Sequence, residues 1–301
     1  VSVLAVTGGT GFVGSRLIDL ALEAGHQVRA LTRRDQSARD GVTWVRGDLD
    51  AAAALADLCT GADAVIHVAG VVNAPDREGF ARGNINGTAN MLAAAKGAGV
   101  RRYVHVSSLA SREPELSAYG WSKGEADKLV RQSGLDWTIV RPPAIYGPGD
   151  LEMLELFRVA RFGLALLPPG GRISVIEVSD LGRLLLALAA NESFPGEIDP
   201  DDGRAGGWSH PEFARAIGRA VGRRVLALSL PKAVLMAGAY VDRALRGKRA
   251  KLTPDRVSYF CHPDWVANPA HRAPANLWTP QVETEAGLVA TARWYRQQEL
   301  L

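Results

Sequence analysis

The chain has 301 residues, 47% of them hydrophobic and 22% charged, which supports a sizeable core and is too apolar for a disordered chain. A formal charge of +3 is small for this length and, with no zinc-finger or RNA-binding signature, argues against a nucleic-acid partner. Cys59 and Cys261 are the only cysteines and lack CxxC spacing, so free thiols, a reduced compartment and no structural metal are expected. No charged and then apolar leader opens the sequence, which predicts a cytoplasmic protein.

The first half alternates strand-like and helix-like runs. VSVLAVT (1–7) reads as a buried strand, and FVGSRLIDLALEAG (12–25) as a helix ending at Gly25. HQVRALT (26–32) and VTWVRGD (42–48) are the next strands, AAAALADLC (51–59) a helix and DAVIHVAG (63–70) a fourth strand. INGTANMLAAAKGAG (85–99) is a long helix, RRYVHVSS (101–108) a strand, AYGWSKGEADKLVRQSG (118–134) a helix and LDWTIVRP (135–142) a sixth strand. Alternating β and α units predict an α/β fold, a Rossmann-like doubly wound parallel sheet with helices on both faces.

After Arg141 the character changes. RPPAIYGPGD breaks the regularity with prolines and glycines. EMLELFRVARFG, a PPGG turn, the strand-like RISVIEV and the helix SDLGRLLLALAA follow. SHPE then carries a capping-box pattern, with Ser209 as N-cap and Glu212 three residues on. The expected organisation is a dinucleotide-binding domain over 1–145, with 173–190 returning to it, and a smaller C-terminal substrate lobe over 146–301. The apolar run VLALSLPKAVLMAGAYV (225–241) is interrupted by Pro231 and Lys232 and is short for a bilayer span. DRALRGKRAK after it reads as a solvated helix end, so membrane-surface contact by the basic segment 243–251 is not expected. Trp265, Trp278 and Trp294 are expected in the core of the smaller lobe, and His67 packed at the end of a buried strand.

Two patterns carry chemistry. Gly8, Gly11 and Gly14 lie between a strand and a helix. Glycines there permit a tight turn and let the backbone approach a pyrophosphate at a helix N-terminus. The second strand ends in ALTRR: Thr32 stands where an acid would bind a ribose hydroxyl, and Arg33 and Arg34 suit a 2′-phosphate. NADP(H) is therefore the expected cofactor, with NAD(H) an alternative. Asp48 either touches the adenine or is a turn aspartate. Tyr119 and Lys123 form the other pattern, YxxxK, which places both on one helix face. An adjacent ammonium is expected to lower the tyrosine pKa, fitting it for proton transfer.

Together these motifs resemble the extended short-chain dehydrogenase/reductase superfamily, also called the NAD-dependent epimerase/dehydratase family. TGGTGFVG, GDL, HVAG, NINGTAN, VSS, YGWSK and RPPAIYGPGD carry the resemblance. It implies that Tyr119 is the proton donor or acceptor, that Lys123 tunes it and binds the nicotinamide ribose, and that Ser108, or else Ser107, hydrogen-bonds the reacting oxygen. Asn84 supports the site structurally, through a water, or is a helix-cap residue. Phe12, Leu49, Ala69 and Pro142 join the glycines as cofactor contacts. Sugar-nucleotide members usually carry a longer stretch between the serine and the tyrosine than the SLASREPELSA found here, so the layout is closer to the 3β-hydroxysteroid dehydrogenase and dihydroflavonol reductase branch. The implied activity is interconversion of a secondary alcohol and a ketone on a small, largely apolar substrate. The alternatives are a nucleotide-sugar epimerase or dehydratase holding NAD tightly, and a non-catalytic NAD(P)-binding assembly or sensing protein. A homodimer is possible. The apolar runs after Tyr146 are expected to form most of the substrate pocket, with Arg158, Arg161 and Arg172 as polar exceptions.

Overall fold

A computed structural model of the chain describes residues 1–190, 194, 196–247 and 253–301. They form two compact units, Val1–Pro142 with Ser179–Asp199 and His271–Thr279, and Pro143–Val178 with Pro200–Ala270 and Pro280–Leu301. Lys248, Arg249, Ala250 and Lys251 of the basic segment lie outside the described residues.

In chain order the elements begin with β1 (Val3–Thr7), α1 (Phe12–Glu23), β2 (Gln27–Thr32), β3 (Val42–Arg46), α2 (Ala52–Cys59), β4 (Ala64–His67), α3 (Arg77–Phe80), α4 (Gly87–Gly97), β5 (Arg102–Val106), α5 (Ala118–Arg131) and β6 (Asp136–Val140). They continue with β7 (Ala144–Tyr146), α6 (Leu154–Ala160), β8 (Leu164–Leu167), β9 (Arg172–Ile173), β10 (Val175–Glu177), α7 (Val178–Ala190) and β11 (Gly196–Ile198). β12 (Trp208–Ser209), α8 (His210–Ala220), β13 (Leu226–Ser229), α9 (Lys232–Arg246), α10 (Pro254–Phe260), β14 (Asp264–Trp265) and α11 (Thr284–Gln297) complete the chain.

The first unit holds a seven-stranded sheet in the order β11-β6-β5-β4-β1-β2-β3, parallel throughout. β4 and β5 are buried along their whole length, as strands covered on both faces must be. Leu55 and Leu58 of α2, Met91 of α4, Val65, Tyr103 and Ile139 fill one side of the sheet. The strand order reverses between β1 and β4, where the loops leaving their carboxyl ends part and open a crevice for a ligand.

Three expectations need correction. The seventh strand, β11, went unread because GEI is short and follows Pro195. Residues 173–190 do not return to the sheet together: β9 and β10 pair within the second unit, and the return begins at Ser179. Between β9 and β10 the buried Ser174 hydroxyl donates to Asp201 at 2.9 Å and accepts from the Ala267 amide at 3.1 Å, all within the second unit. Trp278 belongs to the first unit, where its indole donates to the Asp180 carbonyl at 3.0 Å.

The second unit contains the pairs β7–β10 and β8–β13 and the three-stranded sheet β12-β9-β14. Its core gathers Tyr146, Phe157, Trp208, Phe213, Ile217, Leu288 and Tyr295. Among the described residues no helix is long and apolar enough to cross a membrane. α8 starts with a complete capping box: Ser209 Oγ accepts from the Glu212 amide, and the Glu212 carboxylate accepts from the Ser209 amide at 2.9 Å. Both ends of that exchange satisfy amides the helix itself leaves unpaired. Ser209→Ala is expected to lower unfolding stability by about 1 kcal/mol, read as a shift in the urea midpoint at unchanged slope.

Candidate active site

β1 delivers the chain to a turn that only glycine can make. Gly8 has φ +72°, and a Cβ there would lie 2.8 Å from the Ala69 amide nitrogen. Its carbonyl accepts from the Gly11 amide at 2.9 Å. A Cβ on Gly14 would sit 2.1 Å from the Gly8 oxygen, so the first turn of α1 packs directly on the turn's backbone. Gly11 is the N-cap and offers no side-chain hydrogen bond, and the first turn has no acidic residue. The helix therefore presents unpaired N–H groups and a positive dipole end, which suit a pyrophosphate. Phe12 is half-buried at the first helical position.

At the end of β2 Thr32 is buried, and its hydroxyl both donates to the Arg34 carbonyl at 2.7 Å and accepts from the Arg34 amide at 3.2 Å. The threonine thereby shapes the bend that carries Arg33 and Arg34 into solvent. Neither guanidinium has an acidic partner among the described residues, whereas nearby Arg46 pairs with Asp35. Asp48 is exposed and its Oδ1 accepts from the Asp50 amide at 3.0 Å, a turn geometry. Leu49 is half-buried, with its carbonyl accepting from Asn90 at 2.8 Å.

The sheet register aligns Thr7, His67 and His105 in a row at the carboxyl ends of β1, β4 and β5. Thr7 Oγ1 accepts from the Ala69 amide at 3.1 Å and lies 2.7 Å from His67 Nδ1. His67 Nε2 in turn lies 3.2 Å from Thr88 Oγ1, so a threonine hydroxyl flanks each ring nitrogen. Burial first and Lys123 second push the His67 pKa down to about 3, so the ring is neutral. His67 is thus a hydrogen-bonded core residue that fixes the strand-to-loop bend at Ala69.

α5 is capped by Ser117, whose Oγ accepts from the Gly120 amide at 3.0 Å. Tyr119, Lys123 and Asp127 follow at four-residue spacing along one face. The Tyr119 hydroxyl lies beside Ser108, which is buried and caps the short 3-10 turn Leu109–Arg112 by accepting from the Ala110 amide at 3.2 Å. Ser107 lies instead beside Asp127 and makes no well-formed hydrogen bond through its hydroxyl. Lys123 is buried and donates to the Val106 carbonyl at 3.1 Å. Gly70 makes room for it: a Cβ there would stand 2.9 Å from Nζ and 3.1 Å from Asn84 Oδ1. Asn84 clasps the same loop, accepting from the Val71 amide at 2.7 Å and donating to its carbonyl at 2.9 Å and to Ser122 Oγ at 2.9 Å. Pro142 is buried, and its carbonyl accepts from the Leu109 amide at 3.1 Å.

The electrostatics depart from the expected lowering of the tyrosine by the lysine. Burial raises the Tyr119 pKa; the Ser108 hydrogen bond opposes this, and the Asp127 carboxylate adds to it. Lys123 is drawn down to about 8 by burial, against the attraction of Asp127. Asp127 and His105 were missed from sequence. Asp127 is buried, with Arg141 Nε at 3.3 Å and His105 Nε2 at 3.7 Å, and Arg141 reaches Glu197 at 2.6 Å. The spacing YxxxKxxxD, one further helical turn, was the available signal for Asp127.

The helix bearing Asn84 also differs from expectation. It begins at Arg77, capped by Asp76, and passes through a π-helical turn at Ala81–Asn86 before α4. Gly79, Gly83 and Gly87 recur every four residues and lower helix propensity, which hid the first turns.

A family model described as NAD(P)H-binding matches residues 8–156. The ceramide reductase of Caulobacter vibrioides is 36% identical over 98% of this chain and 94% of its own length. The 3-beta-hydroxysteroid dehydrogenase of Mycolicibacterium neoaurum is 28% identical over 80% of this chain and 75% of its own length. The solved structure of MoeE5 in complex with UDP-glucose and NAD is similar in fold, with a TM-score of 0.74 at 22% identity over 99% of this chain and 100% of that one.

A buried lysine held at about 8, against 10.5 in the open, leaves the unfolded chain binding more protons between those values. Stability therefore rises with pH across that window, and the full cost of burying the ammonium is present below it. Lys123→Met is expected to flatten this rise and to be more stable than wild type at pH 7, as urea unfolding at pH 7 and pH 10 would show. Parallel curves for the two proteins would contradict the assignment.

Proposed function

Because the chain belongs to the extended short-chain dehydrogenase/reductase family, we propose that it is an NADP-preferring reductase that converts a ketone on an apolar, ceramide-like lipid into a secondary alcohol. The observation that carries this reading is Tyr119 beside Ser108, one helical turn from a buried Lys123. The near full-length likeness to a ceramide reductase supports the substrate class.

The residues fit the cofactor. Gly8, Gly11, Phe12 and Gly14 would hold the pyrophosphate, Asp48 and Leu49 the adenine side, Arg33 and Arg34 the 2′-phosphate, and Ala69, Lys123 and Pro142 the nicotinamide side. When bound, NADPH supplies the hydride that the carbonyl carbon takes up. Tyr119 gives its phenolic proton to the carbonyl oxygen as charge develops there, and Ser108 donates a second hydrogen bond to the same oxygen. The raised pKa of Tyr119 keeps it protonated before the reaction. Lys123, charged below about pH 8, offsets the negative charge left on the phenolate. Asn84 holds the Val71 backbone and Ser122 and so positions the helix bearing both groups.

A sugar-nucleotide substrate fits less well. Arg158 is engaged with the Leu300 carbonyl at 3.1 Å and Glu155 at 2.9 Å, and Arg172 with the Gly207 carbonyl at 2.8 Å, so neither is free for a diphosphate.

Tyr119→Phe is expected to lower kcat by at least about 100-fold, with NADPH affinity within a few-fold of wild type. NADPH oxidation is followed with long-chain ketones beside UDP-sugars. Near wild-type turnover by the variant would remove Tyr119 from the mechanism, and activity confined to UDP-sugars would replace the ketone reading with epimerase chemistry.

Arg33→Ala with Arg34→Ala is expected to weaken NADPH binding by roughly tenfold or more while leaving NADH nearly unchanged, since charge-assisted bonds to a phosphate exceed neutral ones. Calorimetric titration with both cofactors checks this; equal losses would make the arginines ordinary surface charges.

A further inference from the structure

The second unit exposes apolar side chains in an ordered pattern. β8 and β13 pair in parallel with Leu164 opposite Leu226 and Leu166 opposite Leu228. A two-residue period puts all four leucines on one face of this ribbon. Three of the four stand in solvent, Leu226 at 62% exposed with Leu166 and Leu228 exposed as well, while Leu164 is half-buried. Phe162, just before β8, is 78% exposed, with the Arg161 guanidinium over its ring at 5.3 Å.

β13 runs through Leu230 and Pro231 straight into α9. There Val234, Gly238, Val241 and Leu245 recur at four, three and four residues, the spacing of one helical stripe. All four are exposed, Leu245 to 81%. The inward side of the helix is carried by Ala239, with Leu235 and Met236 half-buried. An amphipathic helix normally turns such a stripe to the core; here it is turned outward.

The charges carried by these segments are mostly positive, although Glu155 of α6, which packs on β8, and Asp255 of α10, which packs on α9, are exposed as well. Arg161, Arg223, Arg224, Lys232, Arg243 and Arg246 are all exposed. Within residues 161–172 and 223–246 the single acid is Asp242, which is paired with Arg246 at 3.2 Å. The sequence beyond Gly247 continues the sign with Lys248, Arg249 and Lys251. Two copies meeting through these faces would bring cations against cations, which opposes self-association. Apolar side chains interleaved with exposed cations, on a two-stranded ribbon and a helix, match the interface of a bilayer that carries negative headgroups.

We propose that the β8–β13 ribbon and α9 dock on an anionic lipid surface, with Leu166, Leu226, Leu228, Val241 and Leu245 entering the headgroup boundary and the arginines pairing with lipid phosphates. This revises the expectation that the basic segment avoids membranes. The docking is read by vesicle binding without turnover, so it stands or falls apart from the ketone reading.

The test is co-sedimentation of the full chain with extruded vesicles of phosphatidylcholine, with and without phosphatidylglycerol. Wild type is expected to sediment with the anionic vesicles, weakly with the neutral ones, and less as salt rises. Leu228→Glu with Leu245→Glu, and separately Arg223→Ala with Arg224→Ala and Arg243→Ala, should each weaken binding by roughly tenfold or more. Circular dichroism confirms that the variants are folded, and the arginine variant carries the test alone should the glutamates disturb packing. Three results overturn the proposal. One is no sedimentation of wild type with anionic vesicles. Another is a dimer, seen in sedimentation equilibrium, that the glutamate variant dissociates while vesicles bind neither protein; this would assign the face to a second copy. The third is unchanged vesicle binding by both variants, with ketone turnover lost in the glutamate variant, which would assign the leucines to substrate.

Discussion

An ammonium held out of water governs the first unit. Lys123 has the Val106 carbonyl as its hydrogen-bond acceptor, and its pKa is lowered by burial. A charge in that position tolerates few neighbours. His67 and His105 are both held neutral, by burial first, with Lys123 acting in the same direction. The neutral His67 ring is flanked by the Thr7 and Thr88 hydroxyls, and the Thr7 oxygen also receives the Ala69 amide. The bend after β4 is therefore tied to the charge on α5, though the two are far apart in sequence. Asp127 supplies the compensating negative charge, and Arg141 and Glu197 carry the alternation outward to Arg131. Removal of Arg141 would be costly, because it leaves the buried Asp127 carboxylate without its nearest guanidinium.

The alternation of apolar runs and glycine-ended helices made the doubly wound sheet legible, because buried parallel strands read as unbroken hydrophobic stretches. β11 escaped that logic. It is three residues long and earns its place at the sheet edge through β6, not through its own composition. The glycine turn, Tyr119 and Lys123 could be picked out since spacing along one turn and one helix is local information, whereas Ser108 came from the resemblance alone. Asp127 and His105 were not, because their importance comes from what packs against them across strands. The sign of the Tyr119 shift was also beyond reach: sequence places an ammonium near the phenol but says nothing about how deeply the phenol is buried, and burial dominates.

The second unit shows a different limit of sequence reading. The run 225–241 looks like core or pocket lining by composition, yet its leucines and valines stand in solvent over much of the ribbon and α9. Composition records how apolar a segment is, whereas only the fold decides which way the apolar side turns. Ser174 illustrates the same point on a smaller scale. β9 and β10 read as a strand that could join the large sheet, yet they pair with β12, β14 and β7, and the buried Ser174 hydroxyl between them binds Asp201 and the Ala267 amide.

The π-helical turn at Ala81–Asn86 has a consequence for how this chain can vary. A π turn holds one residue more than an α turn. Each residue of an ordinary helix advances the phase by about 100°. Loss of any single residue from this turn would let the helix run straight from Arg77 to Gly97, but it would rotate everything on one side of the deletion by that angle relative to the other. Asn84 would swing off the Val71 backbone and Ser122, or Asp76 would lose its capping position, since a regular helix cannot serve both. The extra residue is thus a phase adjuster between a surface cap and a buried amide clasp, and length changes in this segment are penalised in a way that substitutions at its exposed positions are not.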